Sequence, residues 1–219
     1  CDVGCGNGRW SYFLQDHCRE LILVDFSDTI FVARRNLAGS NSCLFFMGDL
    51  QALPFRNDFC DFLFCLGVLH HLPTPCLDAV RTLRRYAPTL LIFLYSNFDD
   101  RPWYFRMLLK MVTPLRVVLC RITHPRARRL MTKTLLWSVY APLLGFGALL
   151  RPLGLASFVP LHDSYHANSL ARIEQDVYDR FFTPIEQRVS RAEILALRDT
   201  FGEIHFPGKF PYYHFVCRR

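Results

Sequence analysis

The chain opens on CDVGCGNGRW, Cys1–Trp10, where Gly4, Gly6 and Gly8 alternate with other residues just after the acidic Asp2. Glycine is used where a backbone turns through positive φ or where a ligand comes within contact of the main chain. Three glycines at alternate positions therefore describe a loop drawn closely around something. The residues before them read as the end of a strand, and RWSYFLQDHC after them continues as a helix. A glycine-rich turn between a strand and a helix aims backbone N–H groups at one point, which suits a bound cofactor.

Working outward, LILVD (21–25) is a short apolar run of the buried-strand type. SDTIFVARRNLAG (27–39) starts with Ser27 as a helix cap, keeps apolar residues at helical spacing and stops at Gly39. CLFFMGD (43–49), FCDFLFCLG (59–67) and TLLIFLYS (89–96) read as further strands, and TPCLDAVRTLRRYAP (74–88) as a helix bounded by prolines. Near the end, SRAEILALRDTFG (190–202) opens with the capping box Ser190/Glu193. EIHF (203–206) and YYHFVCRR (212–219) then form a pair of strands joined by a Pro/Gly-rich loop. This alternation predicts an α/β fold of Rossmann-like, doubly wound type: a mostly parallel sheet ending in an antiparallel hairpin. The core comprises residues 1–97 and 190–219. Residues 98–189 fit no βαβ unit and read as a helical insertion after the fifth strand, broken by Pro114, Pro125, Pro142, Pro152 and Pro160.

Half of the 219 residues are apolar and 15% are aromatic, which suits a well-buried fold and excludes a disordered chain. The nine cysteines make no Cys-x-x-Cys pair, so neither a zinc ribbon nor a redox dithiol is expected, and no metal site. Scattered through apolar segments, they fit reduced thiols in a cytoplasmic protein. The chain does not begin with Met and reads as a fragment lacking the front of its first strand, so targeting is not legible from this end. The net charge of +7 is unevenly placed. Residues 1–100 carry 8 basic and 11 acidic groups, residues 161–219 carry 8 of each, and residues 101–160 hold ten Lys/Arg with no Asp or Glu.

A dinucleotide fingerprint, Gly-x-Gly-x-x-Gly, fails here because Arg9 occupies its last position. That disfavours a nucleotide-cofactor oxidoreductase. The pattern that holds, acid-x-Gly-x-Gly-x-Gly from Asp2 to Gly8, resembles motif I of class I S-adenosylmethionine-dependent methyltransferases. The resemblance implies S-adenosylmethionine as cofactor, held by Asp2, Gly4, Cys5, Gly6 and Gly8. It implies that Asp25, 23 residues after Asp2, accepts from the ribose hydroxyls, with Phe26 beside the adenine. Asp49 in GDLQALPF would accept from the adenine amino group, with Leu50 as a backbone donor. The fourth strand runs into CLGVLHHLP (65–73), similar to the loop that lies beside the methionine part, with Cys65 and Leu66 near the ligand. VYDRFFTPIEQRVSRAEILAL (177–197) is similar to a segment of methyltransferase-11-like proteins that walls the acceptor pocket. The usual Pro-Gly-Gly turn before the fifth strand is replaced by Ala87-Pro88-Thr89.

Methyl transfer needs a base only where the acceptor loses a proton. His70, His71 and Tyr95, at the sheet's carboxyl edge, are the catalytic candidates, with packing or capping the alternative for the two histidines. The insertion, expected to close over the methyl donor, mixes bulky apolar residues with cations in YFRMLLKMVTPLRVVLCRI and RARRLMTK. Thr134–Leu150 then runs 17 residues without a charge, near the lower limit for a spanning helix but interrupted by Pro142, Gly145 and Gly147. Three readings stay open: a lid with a solvated basic side, a surface lying on the inner face of a membrane beside a lipid-linked acceptor, and a cover for a soluble anionic small molecule. Nucleic acid ranks last, because no binding module accompanies the charge. A non-catalytic module that keeps the fold for membrane or partner attachment is a further alternative.

Overall fold

Successive side chains of a strand point to opposite faces, so a sheet covered on both sides sends alternate residues into two different layers. A computed structural model of the chain describes residues 1–208 and 213–219. Its strands are β1 (Asp2–Val3), β2 (Leu21–Asp25), β3 (Cys43–Met47), β4 (Phe62–Leu66), β5 (Thr89–Leu94), β6 (Glu203–His205) and β7 (Tyr213–Arg218). They form one seven-stranded sheet in the order β3-β2-β1-β4-β5-β7-β6. The first five strands run parallel, and β7 is antiparallel to both β5 and β6. Part of the Pro/Gly-rich connection between β6 and β7, residues 209–212, lies outside the described residues.

The chain divides into two compact units: Cys1–Ser96 with Gln187–Arg219, and Asn97–Glu186. In the first unit, Leu21 and Leu23 of β2 and Phe64 of β4 pack with Ile30 and Ala33 of α2 (Thr29–Asn36), which follows the short α1 (Ser11–Leu14). The alternate residues Val24, Leu63 and Cys65 join the other layer, with Ala79, Val80 and Leu83 of α3 (Cys76–Leu83). Ser27 does not cap α2. Its hydroxyl donates instead to Asp25 Oδ1 at 2.7 Å, and the helix starts two residues on without a side-chain cap. Gln187–Val189 belong to the sheet unit and not to the insertion. Val189 is buried in the sheet's core and donates its N–H to the Tyr95 carbonyl at 2.9 Å.

The second unit contains α4 (Trp103–Leu119), α5 (Pro125–Leu135), a π-helical turn Leu136–Tyr140, α6 (Ala141–Leu150), α7 (His162–Tyr165) and α8 (Leu170–Phe182). Its own core gathers Leu119, Leu136, Tyr140, Tyr165, Ile173, Val177, Phe181 and Phe182. Two of the expected breaks are absent. Pro114 sits inside α4, on a stretch exposed enough for water to bond the carbonyl it leaves free. Pro142 lies within one continuous helix, Pro125–Leu153, of 29 residues. The π turn just ahead of Pro142 re-registers the backbone at the point where proline withholds an N–H. In the sheet unit, the first turn of α9 (Arg191–Leu195) carries the capping box: Glu193 N–H donates to Ser190 Oγ at 3.1 Å, and Ser190 N–H to Glu193 Oε2 at 2.7 Å.

The two glycines of α6 make opposite predictions. A Cβ on Gly147 would lie 2.3 Å from His162 Cδ2 and 2.8 Å from its Cβ, whereas one on Gly145 meets nothing within 4 Å. Gly147→Ala should lower stability by about 1–3 kcal/mol, and Gly145→Ala should raise it by up to about 1 kcal/mol. Urea unfolding followed by circular dichroism reads both signs.

Candidate functional site

The carboxyl ends of four adjacent parallel strands meet at one place. Gly4 follows β1, Asp25 ends β2, Gly48 and Asp49 follow β3, and Val68 follows β4. Between them is a cleft of about 320 Å³, lined by Gly4, Val24, Asp25, Phe26, Gly48, Asp49, Leu50, Gln51, Val68, Leu72 and Pro73. That size and position are those of a small-molecule or cofactor site in an open α/β sheet.

The glycine loop is held by the neighbouring strand. The N–H groups of Gly4 and Cys5 both donate to the Val24 carbonyl, at 2.7 and 3.1 Å, and Gly6 N–H donates to Asp25 Oδ2 at 2.7 Å. Gly4, at φ +76°, could not carry a side chain: a Cβ there would be 2.4 Å from Val68 Cγ2. Gly6, at φ +54°, has open space where its Cβ would be. Gly8 faces Ala33 and Leu37, away from the cleft.

Asp25 is the most heavily bonded group at the cleft. Besides Gly6, it accepts from Ser27 N–H at 2.9 Å and Ser27 Oγ at 2.7 Å, both on Oδ1. Oδ2, with one donor, retains acceptor capacity toward a ligand hydroxyl. Phe26 beside it is 76% exposed, an uncovered aromatic face on the cleft wall. Asp49 accepts Gln51 N–H on Oδ1 at 2.9 Å, capping the short turn that carries Leu50.

Other residues expected at the cofactor sit behind the cleft lining. Asp2 is buried, and its Oδ2 accepts from Ser11 Oγ at 2.7 Å. Burial pushes its pKa up to about 7, against the opposing pull of the Ser11 hydroxyl. Cys5 and Cys65 are buried in the two core layers, and burial raises both thiols. Leu66 packs against the same layer as Cys5. His70, His71 and Tyr95 do come together: the His70 ring stacks on Tyr95 at 3.8 Å and meets His71 edge-on at 4.2 Å. His70 is fully buried, so its ring is placed for packing, whereas His71 and Tyr95 are half-buried.

Gln187 lies in the segment 177–197, yet nothing in the sequence marks its bonds to the loop after β4. Gln187 Nε2 donates to the carbonyls of Leu72 and Thr74, both at 2.7 Å, and its Oε1 accepts Cys76 N–H at 2.9 Å. Its own N–H donates to the His70 carbonyl at 2.8 Å. Gln187 thus fixes the loop whose Leu72 and Pro73 wall the cleft, from more than a hundred residues away in sequence. Val68, Leu72 and Pro73 belong to the CLGVLHHLP loop expected beside the methionine end, and all three line the cleft.

Residues 1–87 match a family model described as a methyltransferase domain. Among solved structures, the chain is similar to the YcgJ protein of Bacillus subtilis, at 24% identity over 52% of this chain and 50% of that one, with a TM-score of 0.44. It is also similar to a SAM dependent methyltransferase from Aquifex aeolicus, at 20% identity over 50% and 68%, TM-score 0.40. A third is phosphoethanolamine N-methyltransferase 1 of Haemonchus contortus, in complex with phosphoethanolamine and S-adenosylhomocysteine, at 17% identity over 46% and 23%, TM-score 0.41. The chain spans about half the length of the YcgJ protein. No curated protein matches the sequence.

The buried Asp2 carboxyl sets a pH dependence. Its pKa is raised from an ordinary carboxylate value to about 7, so the folded state holds a proton that the unfolded chain releases between about pH 4 and 7. Stability should therefore be full below that window and fall as pH rises through it, by on the order of a few kcal/mol. Asp2→Asn can still accept from Ser11 and carries no titrating group. Urea midpoints at pH 5 and pH 8 should differ in the parent and converge in the variant.

Proposed function

We propose that the protein moves a methyl group from S-adenosylmethionine to a small-molecule acceptor, a reading supported by the match of residues 1–87 to a methyltransferase-domain model and by the parallel strand order of the sheet. The observation that carries this reading is the single cleft joining the Gly4 loop, the Asp25 carboxylate and Asp49 at the ends of β1, β2 and β3. S-adenosylmethionine, when bound, supplies a methyl carbon already activated by its sulfonium, so the protein's part is position and environment.

The residues at the cleft fit that cofactor. Asp25 Oδ2 would accept a ribose hydroxyl while keeping its bond to Gly6, and Phe26 would offer its exposed ring to the adenine. Asp49, on the cleft wall, would accept from the adenine amino group, with the Leu50 backbone as a donor beside it. Gly4, the one residue of the loop on the cleft wall, would lie beside the amino-acid end. Asp2 acts from behind, bonding Ser11 and so holding the turn into α1. Should the acceptor have to lose a proton, His71 and Tyr95 are the half-exposed groups of the ring cluster, and His70 supports them by stacking. The acceptor is small, with a lipid-linked or anionic compound favoured by the ten cations and absent carboxylates of residues 101–160.

Replacing Asp25 tests the assignment. Asp25→Ala removes charge-assisted bonds worth about 1.5–3 kcal/mol, so affinity for S-adenosylmethionine should fall about 10- to 100-fold by calorimetry. Phe26→Ala should weaken it less. In parallel, methyl-labelled S-adenosylmethionine incubated with a cell extract and the protein should yield labelled product. Binding of NAD in place of S-adenosylmethionine, or unchanged affinity in Asp25→Ala, would overturn the reading.

A further inference from the structure

We propose that the helical unit Asn97–Glu186 docks on an anionic lipid bilayer, lying along its surface through one face of α4 and one face of the long helix Pro125–Leu153. This docking stands independently of the methyl-transfer reading, because it uses none of the cleft residues.

On α4, Trp103, Met107, Met111 and Leu115 recur every fourth residue, with Val118 three further on, and all five are exposed. Residues at that spacing share one helix face. Arg106 and Lys110 flank the stripe, also exposed. The long helix repeats the arrangement. Arg126, Leu130, Lys133 and Trp137 are spaced by four, three and four residues, and all four are exposed. Five residues later the exposed stripe resumes with Pro142, Phe146, Leu149 and Leu153, spaced by four, three and four. The five-residue step spans the π turn Leu136–Tyr140, whose wider turn keeps the two stripes in phase.

Bulky apolar side chains are therefore lined up on solvent-facing sides of two helices, with cations beside them. Trp103 is 67% exposed, Met111 65% and Leu149 72%. An exposed apolar face of this kind marks an interaction surface. The charge selects its partner. Residues 101–160 carry ten Lys/Arg and no Asp or Glu, so the surface complements a sheet of anionic headgroups with an apolar layer beneath, into which Trp and Leu insert.

The long helix is long and apolar enough to cross a membrane by length and composition alone. Its other side argues for lying on the surface instead. Leu136 and Tyr140 pack in one cluster with Ile173, Val177 and Phe181 of α8. That helix also carries Arg172, Glu174, Asp176, Asp179 and Arg180. Carrying the long helix through a bilayer would take those charges with it, at a cost a surface position avoids.

The test uses the whole chain with vesicles of phosphatidylcholine, with and without phosphatidylglycerol. Flotation should carry the protein with the anionic vesicles only, and added salt should release it. In a Trp10→Phe background, emission from Trp103 and Trp137 should shift to shorter wavelength on binding. Met111→Asp with Leu149→Asp should abolish flotation while leaving the unfolding midpoint and S-adenosylmethionine affinity unchanged. Arg106→Gln with Lys110→Gln should weaken it by about 25-fold, about fivefold for each cation near the surface. Failure of the parent to float with anionic vesicles overturns the proposal. So does equal flotation with neutral vesicles, or binding that salt does not reverse, the latter pointing to a spanning helix. Dimerisation abolished by the two Asp substitutions, without flotation, would assign the face to a second copy of the chain. S-adenosylmethionine binding measured on the same samples keeps failure here distinct from failure of the cleft assignment.

Discussion

The Asp25 carboxylate ties the cleft together. It ends β2, yet Oδ2 takes the Gly6 N–H from the loop after β1 while Oδ1 takes the backbone and hydroxyl of Ser27 at the start of the next turn. Charge-assisted bonds of this kind are short and directional, so one side chain fixes both the height of the glycine loop and the exit of the chain toward α2. The Val24 carbonyl, one residue earlier, holds Gly4 and Cys5. With the loop pinned so closely to β2, Gly4 is pressed against Val68 of the β4 loop, and a side chain there has nowhere to go. The cleft thus sets the main chain at Gly4 and the carboxylates of Asp25 and Asp49 against apolar side chains, Val68, Leu72 and Pro73 among them.

Much of this was legible because it is local. The alternating glycines, the acid at the end of LILVD and the capping box of Ser190 and Glu193 each declare a conformation within a few residues, and β2 spans the residues its apolar run marks out. Ser27 was not legible in the same way. As a residue type it suits a helix cap, but Asp25 two residues earlier is a stronger acceptor and takes its hydroxyl. Cys65 and Gly8 lie inside motifs that face the cofactor, yet the strand's alternation and the packing on α2 turn them inward. Gln187 left no trace in composition or spacing, because its four hydrogen bonds join segments remote in sequence.

The insertion shows the limit of reading proline as punctuation. A proline costs a helix one hydrogen bond and a steric clash, and either can be absorbed by water or by a change of helical register. Pro114 stands on an exposed stretch, and Pro142 follows a π turn, so both helices continue through them. The burial pattern makes the same point from the inner side: Thr132, Leu136, Tyr140 and Gly147 are buried along the length of a helix that the residue types alone divide in two.

The joint between the two units explains how such an insertion is tolerated. The chain leaves the sheet unit at Ser96 and returns at Gln187, and Val189 forms a parallel bridge with Ser96, so departure and return lie side by side. Arg188 reinforces the closure by donating to the Ser96 carbonyl at 2.8 Å and placing its guanidinium over the Tyr95 ring. A long excursion closed at its base adds little to the cost of ordering the sheet, because loop-closure entropy grows only slowly with length. The excursion also has a core of its own. Yet the first residue to return is Gln187, which grips the loop carrying Leu72 and Pro73. The same few residues that close the insertion therefore also shape the cleft, and this is where a change of register on return would be felt first by a bound cofactor.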